Sequence, residues 1–228
     1  TDLTFLAVPE SAAAELAPPL VAAGVRVIDL SGAFRIRDEA ARTQLARALE
    51  GVAARFHIAS FGDIWMRDIA PVFLTNAKGE LASVRYVFNG WGSKYVYPGD
   101  ELIGARVQEI VGLPSYASDL VCEGGALECD GAGLCMTTRE VLLNPNRNPG
   151  RSERDVERAL IESLGAERVV WVDRGLLNDH TDGHIDNIAR FVAKDTVVCM
   201  QAHDPDDPNR DTLESIATAL EQAHSAAG

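Results

Sequence analysis

"CEGGALECDGAGLCMTT", residues 122–138, holds two short runs separated by "DGAG" at 130–133, the composition of a tight turn between paired strands. The next forty residues decide the architecture. "SERDVERALIESLG", residues 152–165, opens on a serine, spaces its apolar residues at helical intervals and closes on a glycine, which are helix start and stop signals. "RVVWVD", residues 168–173, is then a short β-branched run and reads as a buried strand. The local order is hairpin, helix, strand, an α/β arrangement.

The order recurs on both sides. "HIASFGDIWMRDIAPVFLTN" (57–76) moves into strand and loop, "NAKG" (76–79) is a turn, "GELASVRYVFNGWG" (79–92) is the second arm of a hairpin, and "DELIGARVQEIVG" (100–112) is a helix. Beyond residue 173, "IARFVAKDTVVCM" (188–200) reads as paired strands and "RDTLESIATALEQA" (210–223) as a helix. No sequence repeat accompanies the recurrence, so periodicity alone does not establish a repeat fold. At the N-terminus "TFLAV", "SAAAELAPPLVAAG" and "VRVIDLS" form one strand–helix–strand unit, with a break expected at Pro18 and Pro19. "ARTQLARALEGVAARF" (41–56) has a helical pattern.

The 228 residues carry a net charge of -13, which argues against nucleic acid, because that partner needs a basic face. The charge suits a small cationic substrate. No apolar run approaches the roughly 18 to 20 residues of a membrane span, and the start lacks a basic segment and cleavage site; the expectation is a cytoplasmic enzyme. The four cysteines, 122, 129, 135 and 199, form no C-x-x-C pair, so they are expected to be reduced and mostly buried.

Three polar clusters interrupt the apolar pattern where strands meet loops: Asp63, Arg67 and Asp68; Glu123; and His180, Asp182, His184 and Asp186. Taken singly, Asp68 reads as a turn carboxylate beside Arg67 and Glu123 as a strand-end residue beside a turn. His184 and Asp186 are spaced by two, so an extended segment would point both to one side. A zinc reading of His180 and His184 needs a helix, which "TDG" disfavours; no metal and no cofactor are expected. Carboxylates with one histidine suit a guanidinium, a planar cation that carboxylates grip bidentately while the histidine moves protons.

"DIWMRDIAP", "FNGWG", "CEGGALECDGAGLCMTTREVLLNPNRNP", "LGAERVVWV" and "DHTDGHIDNIARFV", in this order, resemble the agmatine deiminases and the related bacterial peptidylarginine deiminases, over about residues 42–228. The resemblance implies the pentein fold, an α/β propeller of ββαβ-type units, of which this chain would supply about three. It implies hydrolysis of agmatine to N-carbamoylputrescine and ammonia, through a cysteine thiolate and a thiouronium adduct. It makes Asp68 and Asp186 the guanidinium clamp, Trp65 a pocket wall, His184 the general acid/base and Glu123 its orienting carboxylate. Homo-oligomer formation stays open.

Two departures accompany it. The family nucleophile is a cysteine in a Gly-rich segment well past "GHID", and none of the four cysteines here has such a context; Cys122, next to Glu123, is expected to face the other way. The expected chain is a partial pentein without its nucleophile, weighed against the alternative of a guanidinium- or polyamine-binding remnant. Residues 1 to about 40 resemble an internal segment of N-acetyl-gamma-glutamyl-phosphate reductase instead, a Rossmann-like strand–helix–strand fragment. That enzyme's Gly-rich dinucleotide loop is not in the segment, so NADPH binding is not expected. The expected domains are 1–41 and 42–228.

Overall fold

The computed structural model describes residues 3–6, 15–16, 19–20, 22–23, 26–29, 47, 57, 61–194 and 196–225. The chain forms two compact units, residues 1–66 and 67–228. In the first, β1 (Leu3–Leu6) and β2 (Arg26–Asp29) pair in parallel, Leu3 opposite Arg26 and Leu6 opposite Asp29. Residues 15–16, 19–20 and 22 between them are helical, and Ala23 N donates to Pro19 O at 3.0 Å. Pro18, the domain boundary expected at residue 41 and most of the helix expected over 41–56 lie outside the described residues.

The recurrence read from the sequence is the organising feature of the second unit. After a helical turn, α1 (Met66–Ile69), come β3 (Val72–Thr75) and β4 (Leu81–Val87), an antiparallel hairpin. Its turn is held by Asn76 Oδ1, which accepts from the backbone N–H groups of Lys78 and Glu80 at 2.9 and 3.0 Å. A short turn, α2 (Gly90–Ser93), and the helix α3 (Asp100–Val111) lead to β5 (Ser115–Val121), parallel to β4. The second set repeats this: β6 (Glu128–Cys129) antiparallel to β7 (Leu134–Thr138), then α4 (Arg139–Leu142), α5 (Glu153–Leu164) and β8 (Arg168–Val172), parallel to β7. A third hairpin, β9 (Ala189–Ala193) with β10 (Thr196–Cys199), is followed by α6 (Arg210–Ser225). The described residues thus hold two complete ββαβ units and the hairpin and helix of a third.

Alternation along β7 and β8 builds two apolar layers from one sheet. Cys135 and Val169 face a cluster containing Leu120, Cys122, Leu142 and the α5 residues Val156 and Leu160. Their neighbours Met136 and Val170 face the opposite cluster, which holds Ile185, Ile188 and the α6 residues Leu213 and Ile216. Helices therefore cover both faces of this sheet, as parallel strands require. Helix α5 is fixed at both ends: Ser152 and Asp155 form a capping box, and Gly165 ends it at φ 68°.

Three local expectations change. The segment 122–127 is not the first arm of a long hairpin: Gly124–Ala126 is a 3-10 turn and the arm shrinks to Glu128–Cys129. A helical turn replaces loop at Met66–Ile69. Strand β5 was not expected from "SYASDLV", whose polar residues mostly face solvent and whose one fully buried side chain is Leu120. No helix among the described residues is long and apolar enough to cross a membrane.

Candidate active site

Asp68, Glu123 and His184, far apart in sequence, converge in the interior at 8%, 0% and 2% exposure. Helical turn α1 presents Asp68, the extended residue Glu123 enters between β5 and the 3-10 turn, and His184 precedes the 3-10 turn Ile185–Asn187. His184 Nδ1 lies 3.8 Å from Asp68 Oδ1, and its Nε2 lies 3.4 Å from Glu123 Oε2. The imidazole is therefore flanked by a carboxylate on each nitrogen.

The two glycines after Glu123 make the convergence sterically feasible. A Cβ on Gly124 would run into the backbone carbonyl of Arg67. A Cβ on Gly125 would stand 2.5 Å from His184 Nδ1, 2.7 Å from Asp68 Oδ1 and 3.0 Å from Asp186 Oδ2. Asp186 thus belongs to the same cluster, but the extended geometry expected for His184–Asp186 is replaced by the 3-10 turn. The missing Cβ at Gly125 lets two carboxylates and an imidazole crowd against the backbone, and carboxylates grouped in this way can pair with a planar cation.

Each carboxylate has its own partners. Asp68 accepts from Trp91 Nε1 at 3.0 Å and from Gly125 N at 2.9 Å. Glu123 accepts from Arg147 Nε with both oxygens, each at 3.0 Å, and both side chains are fully buried. Burial pushes the Asp68 carboxyl up to about 6, against the pull of His184 and the Trp91 hydrogen bond, with the Glu123 charge adding to the rise. Burial likewise raises Asp186. For Glu123 burial is outweighed by the hydrogen bond to His184 and the Arg147 cation, and its carboxyl falls below the usual range. For His184 burial is outweighed by the hydrogen bond to Glu123 and the charges of Asp68, Glu123 and Asp186, and its basicity rises.

Two participants were not singled out in the sequence. Trp91 lies within "FNGWG" and Arg147 within "NPNRNP", yet their partners are 23 and 24 residues away, and no local spacing signals that. Trp65 is 55% exposed and belongs to the first compact unit. His180 pairs through Nδ1 with Tyr95 Oη at 2.6 Å, and Asp182 accepts from Lys94, Asn146 and Arg147. Among the described residues no group of His, Cys, Asp and Glu side chains is placed to hold a metal ion. Cys122 packs in the apolar cluster on the sheet face covered by α5; burial, with the Glu123 charge beside it, pushes its thiol well above the ordinary range.

Known proteins share both the sequence and the arrangement of elements. The chain is 39% identical over 175 residues to agmatine deiminase of Pseudomonas fluorescens and 37% identical over 178 residues to that of Pseudomonas syringae pv. tomato. Each match covers 74% of this chain and 48% of the relative, so the chain spans about half the length of the curated relatives it matches. The solved structure of Enterococcus faecalis agmatine deiminase superposes with a TM-score of 0.72 at 27% identity, covering 91% of this chain and 57% of that one. Campylobacter jejuni agmatine deiminase, 20% identical, shares the fold with a TM-score of 0.73 over 97% of this chain and 67% of its own. The recurring ββαβ units are those of the pentein fold. The family model of the Porphyromonas-type peptidyl-arginine deiminases matches residues 8–228, and the chain belongs to that family.

Proposed function

We propose that Asp68, Glu123, His184 and Asp186 are the guanidine-hydrolysing site of an agmatine deiminase, which takes agmatine and water to N-carbamoylputrescine and ammonia. The observation that carries this is the convergence of three side chains on Gly125, where His184 Nδ1, Asp68 Oδ1 and Asp186 Oδ2 all lie within 3.0 Å of the Cβ position that the glycine leaves out. A guanidinium held by this cluster pairs with the Asp68 and Asp186 carboxylates.

In the reaction a cysteine thiolate attacks the guanidinium carbon, and the C–N bond to the leaving nitrogen breaks as His184 gives that nitrogen a proton. The thiouronium adduct is then attacked by water, His184 takes the water's proton, and the C–S bond breaks to release the carbamoyl product and the thiolate. Glu123 steadies the protonated imidazole. We assign the nucleophile to none of the four cysteines in the sequence: Cys122 and Cys135 are buried with thiols pushed well above the ordinary range, and Cys129 and Cys199 sit on β6 and β10. The 228-residue chain alone therefore binds agmatine without turnover.

Calorimetry with agmatine, run beside an ammonia assay, tests this. Binding that disappears in Asp68→Ala and Asp186→Ala, with no ammonia formed, is the expected result. Absence of binding, or binding indifferent to both substitutions in folded protein, overturns the site. In a longer protein that supplies the cysteine, hydrolysis is expected and is abolished by His184→Ala.

A further inference from the structure

Arg147 is a guanidinium held by carboxylates within a site that we read as binding a guanidinium, and its fully buried side chain uses all three nitrogens. Nε donates to both oxygens of Glu123 at 3.0 Å. Nη1 donates to Asp182 Oδ2 at 2.6 Å and to Asn146 Oδ1 at 3.0 Å, and Nη2 to the backbone carbonyl of Thr181 at 2.9 Å. Asp182 in turn takes Lys94 Nζ on its other oxygen at 2.6 Å. The residues so gripped surround the histidine. Thr181 Oγ1 accepts from the His184 backbone N–H at 3.1 Å, and Thr138 Oγ1 donates to the Gly183 carbonyl at 2.7 Å.

We propose that Arg147 is a positioning residue that seats Glu123 against His184 and holds the turn carrying that histidine. It also divides the labour among the carboxylates. With both its oxygens turned to the Arg147 cation and one of them also facing His184, Glu123 has its charge met within the protein, whereas Asp68 takes its hydrogen bonds from the neutral donors Trp91 Nε1 and Gly125 N. A lysine at 147 would keep the charge but could not span Glu123, Asp182 and the Thr181 carbonyl at once, because it lacks the planar fork. The proposal rests on the deiminase reading for its purpose, but its geometry can be tested without substrate.

The test is an NMR pH titration of the His184 imidazole in the 228-residue chain, with Glu123→Gln introduced into three backgrounds: wild type, Arg147→Lys and Asp182→Asn. The groups facing the imidazole are Glu123, Asp68 and Asp186. In the wild type, Glu123→Gln is expected to lower the His184 midpoint by about one unit or more. In the Arg147→Lys background the same substitution moves it little, because the carboxylate is no longer held in line. In Asp182→Asn, which retains the Arg147–Glu123 pair, the shift is intermediate. A residue that merely stabilised the fold would lower the melting temperature and leave this coupling intact. The proposal is overturned if Glu123→Gln shifts His184 equally in all three backgrounds. If Arg147→Lys does not fold, Arg147→Gln takes its place, and a Glu123→Gln shift there as large as in the wild type overturns the proposal. Agmatine calorimetry on the same samples keeps the two readings apart: wild-type protein with the expected coupling but no agmatine binding refutes the function and leaves the positioning role standing.

Discussion

Trp91 Nε1 donates to Asp68 Oδ2 at 3.0 Å from a backbone held at φ 53° and ψ 53°. A tryptophan in the left-handed region is uncommon and costs free energy, and here its ring is 5% exposed and packed edge-on between Phe88 and Tyr95. The backbone conformation places the indole N–H on the one carboxylate whose pKa burial lifts to about 6. Neighbouring Asn89 secures the turn by accepting from Gly92 N at 2.9 Å.

Trp91→Phe keeps the ring and removes the donor. Hydrogen bonds to charged groups contribute about 2 kcal/mol, so losing this one raises the Asp68 carboxyl further, agmatine affinity near pH 7 is expected to fall about four-fold, and the acid limb of binding moves to higher pH. Calorimetry across pH measures both. Unchanged affinity would mean that Asp68 does not carry the substrate's charge.

Binding should also depend on pH in a defined sense. With the Asp68 carboxyl at about 6, the free site holds a proton below that pH which a bound guanidinium expels. Affinity is expected to rise about ten-fold per pH unit on approaching 6 from below, with proton release seen as a buffer-dependent binding enthalpy. The raised basicity of His184 acts in the same direction, since an imidazolium repels the incoming cation. For the unliganded fold, Asp68 contributes stability that is full below its unfolded value of 3.8 and is lost as pH rises through about 6. Agmatine should therefore raise the melting temperature more at pH 7.5 than at pH 5.

How much of this could be read beforehand depended on whether the deciding contacts were local. The hairpin turns and helix α5 follow from Asn76, Ser152 and Gly165, which act on residues within four positions. Asp68, Glu123, His184 and Asp186 came from ordered motifs, while the physical reading of each alone favoured a turn carboxylate or a strand end. Arg147 and Trp91 stand inside those motifs without a signal of their own, because what ties them to the cluster is a partner 23 or more residues away. Strand β5 escaped notice because its solvent-facing residues carry no alternation.

Gly125→Ala is the most direct test of the cluster. The new methyl would stand 2.5 to 3.0 Å from His184, Asp68 and Asp186, closer than real contacts allow, so these side chains must move apart. Overpacking of this kind costs about 1 to 3 kcal/mol of stability, and agmatine binding is expected to vanish. Gly165→Ala serves as control: its Cβ meets nothing within 4 Å, but its φ of 68° strains a side chain, so it should lose stability of about 1 kcal/mol and keep binding. Loss of binding in both variants would point to general destabilisation instead of a displaced cluster.

Thiol reactivity checks the assignment of the nucleophile, because that assignment rests on the surroundings of each cysteine. Cys129 is exposed and Cys199 half-buried, whereas Cys122 and Cys135 are buried. Cys122 donates through Sγ to its neighbour's carbonyl, Glu123 O, at 3.3 Å, and burial with the Glu123 charge keeps it a thiol. A thiol, unlike a thiolate, neither attacks carbon efficiently nor reacts quickly with disulfide reagents. Native protein at pH 7.5 should therefore label first at Cys129, then at Cys199, and at Cys122 and Cys135 only on unfolding, with agmatine leaving the order unchanged. Cys122→Ala should retain agmatine binding at a cost in stability. If Cys122 instead labels rapidly in the folded chain, and agmatine protects it, its thiol reaches the guanidinium seat and the 228-residue chain would carry its own nucleophile beside Glu123.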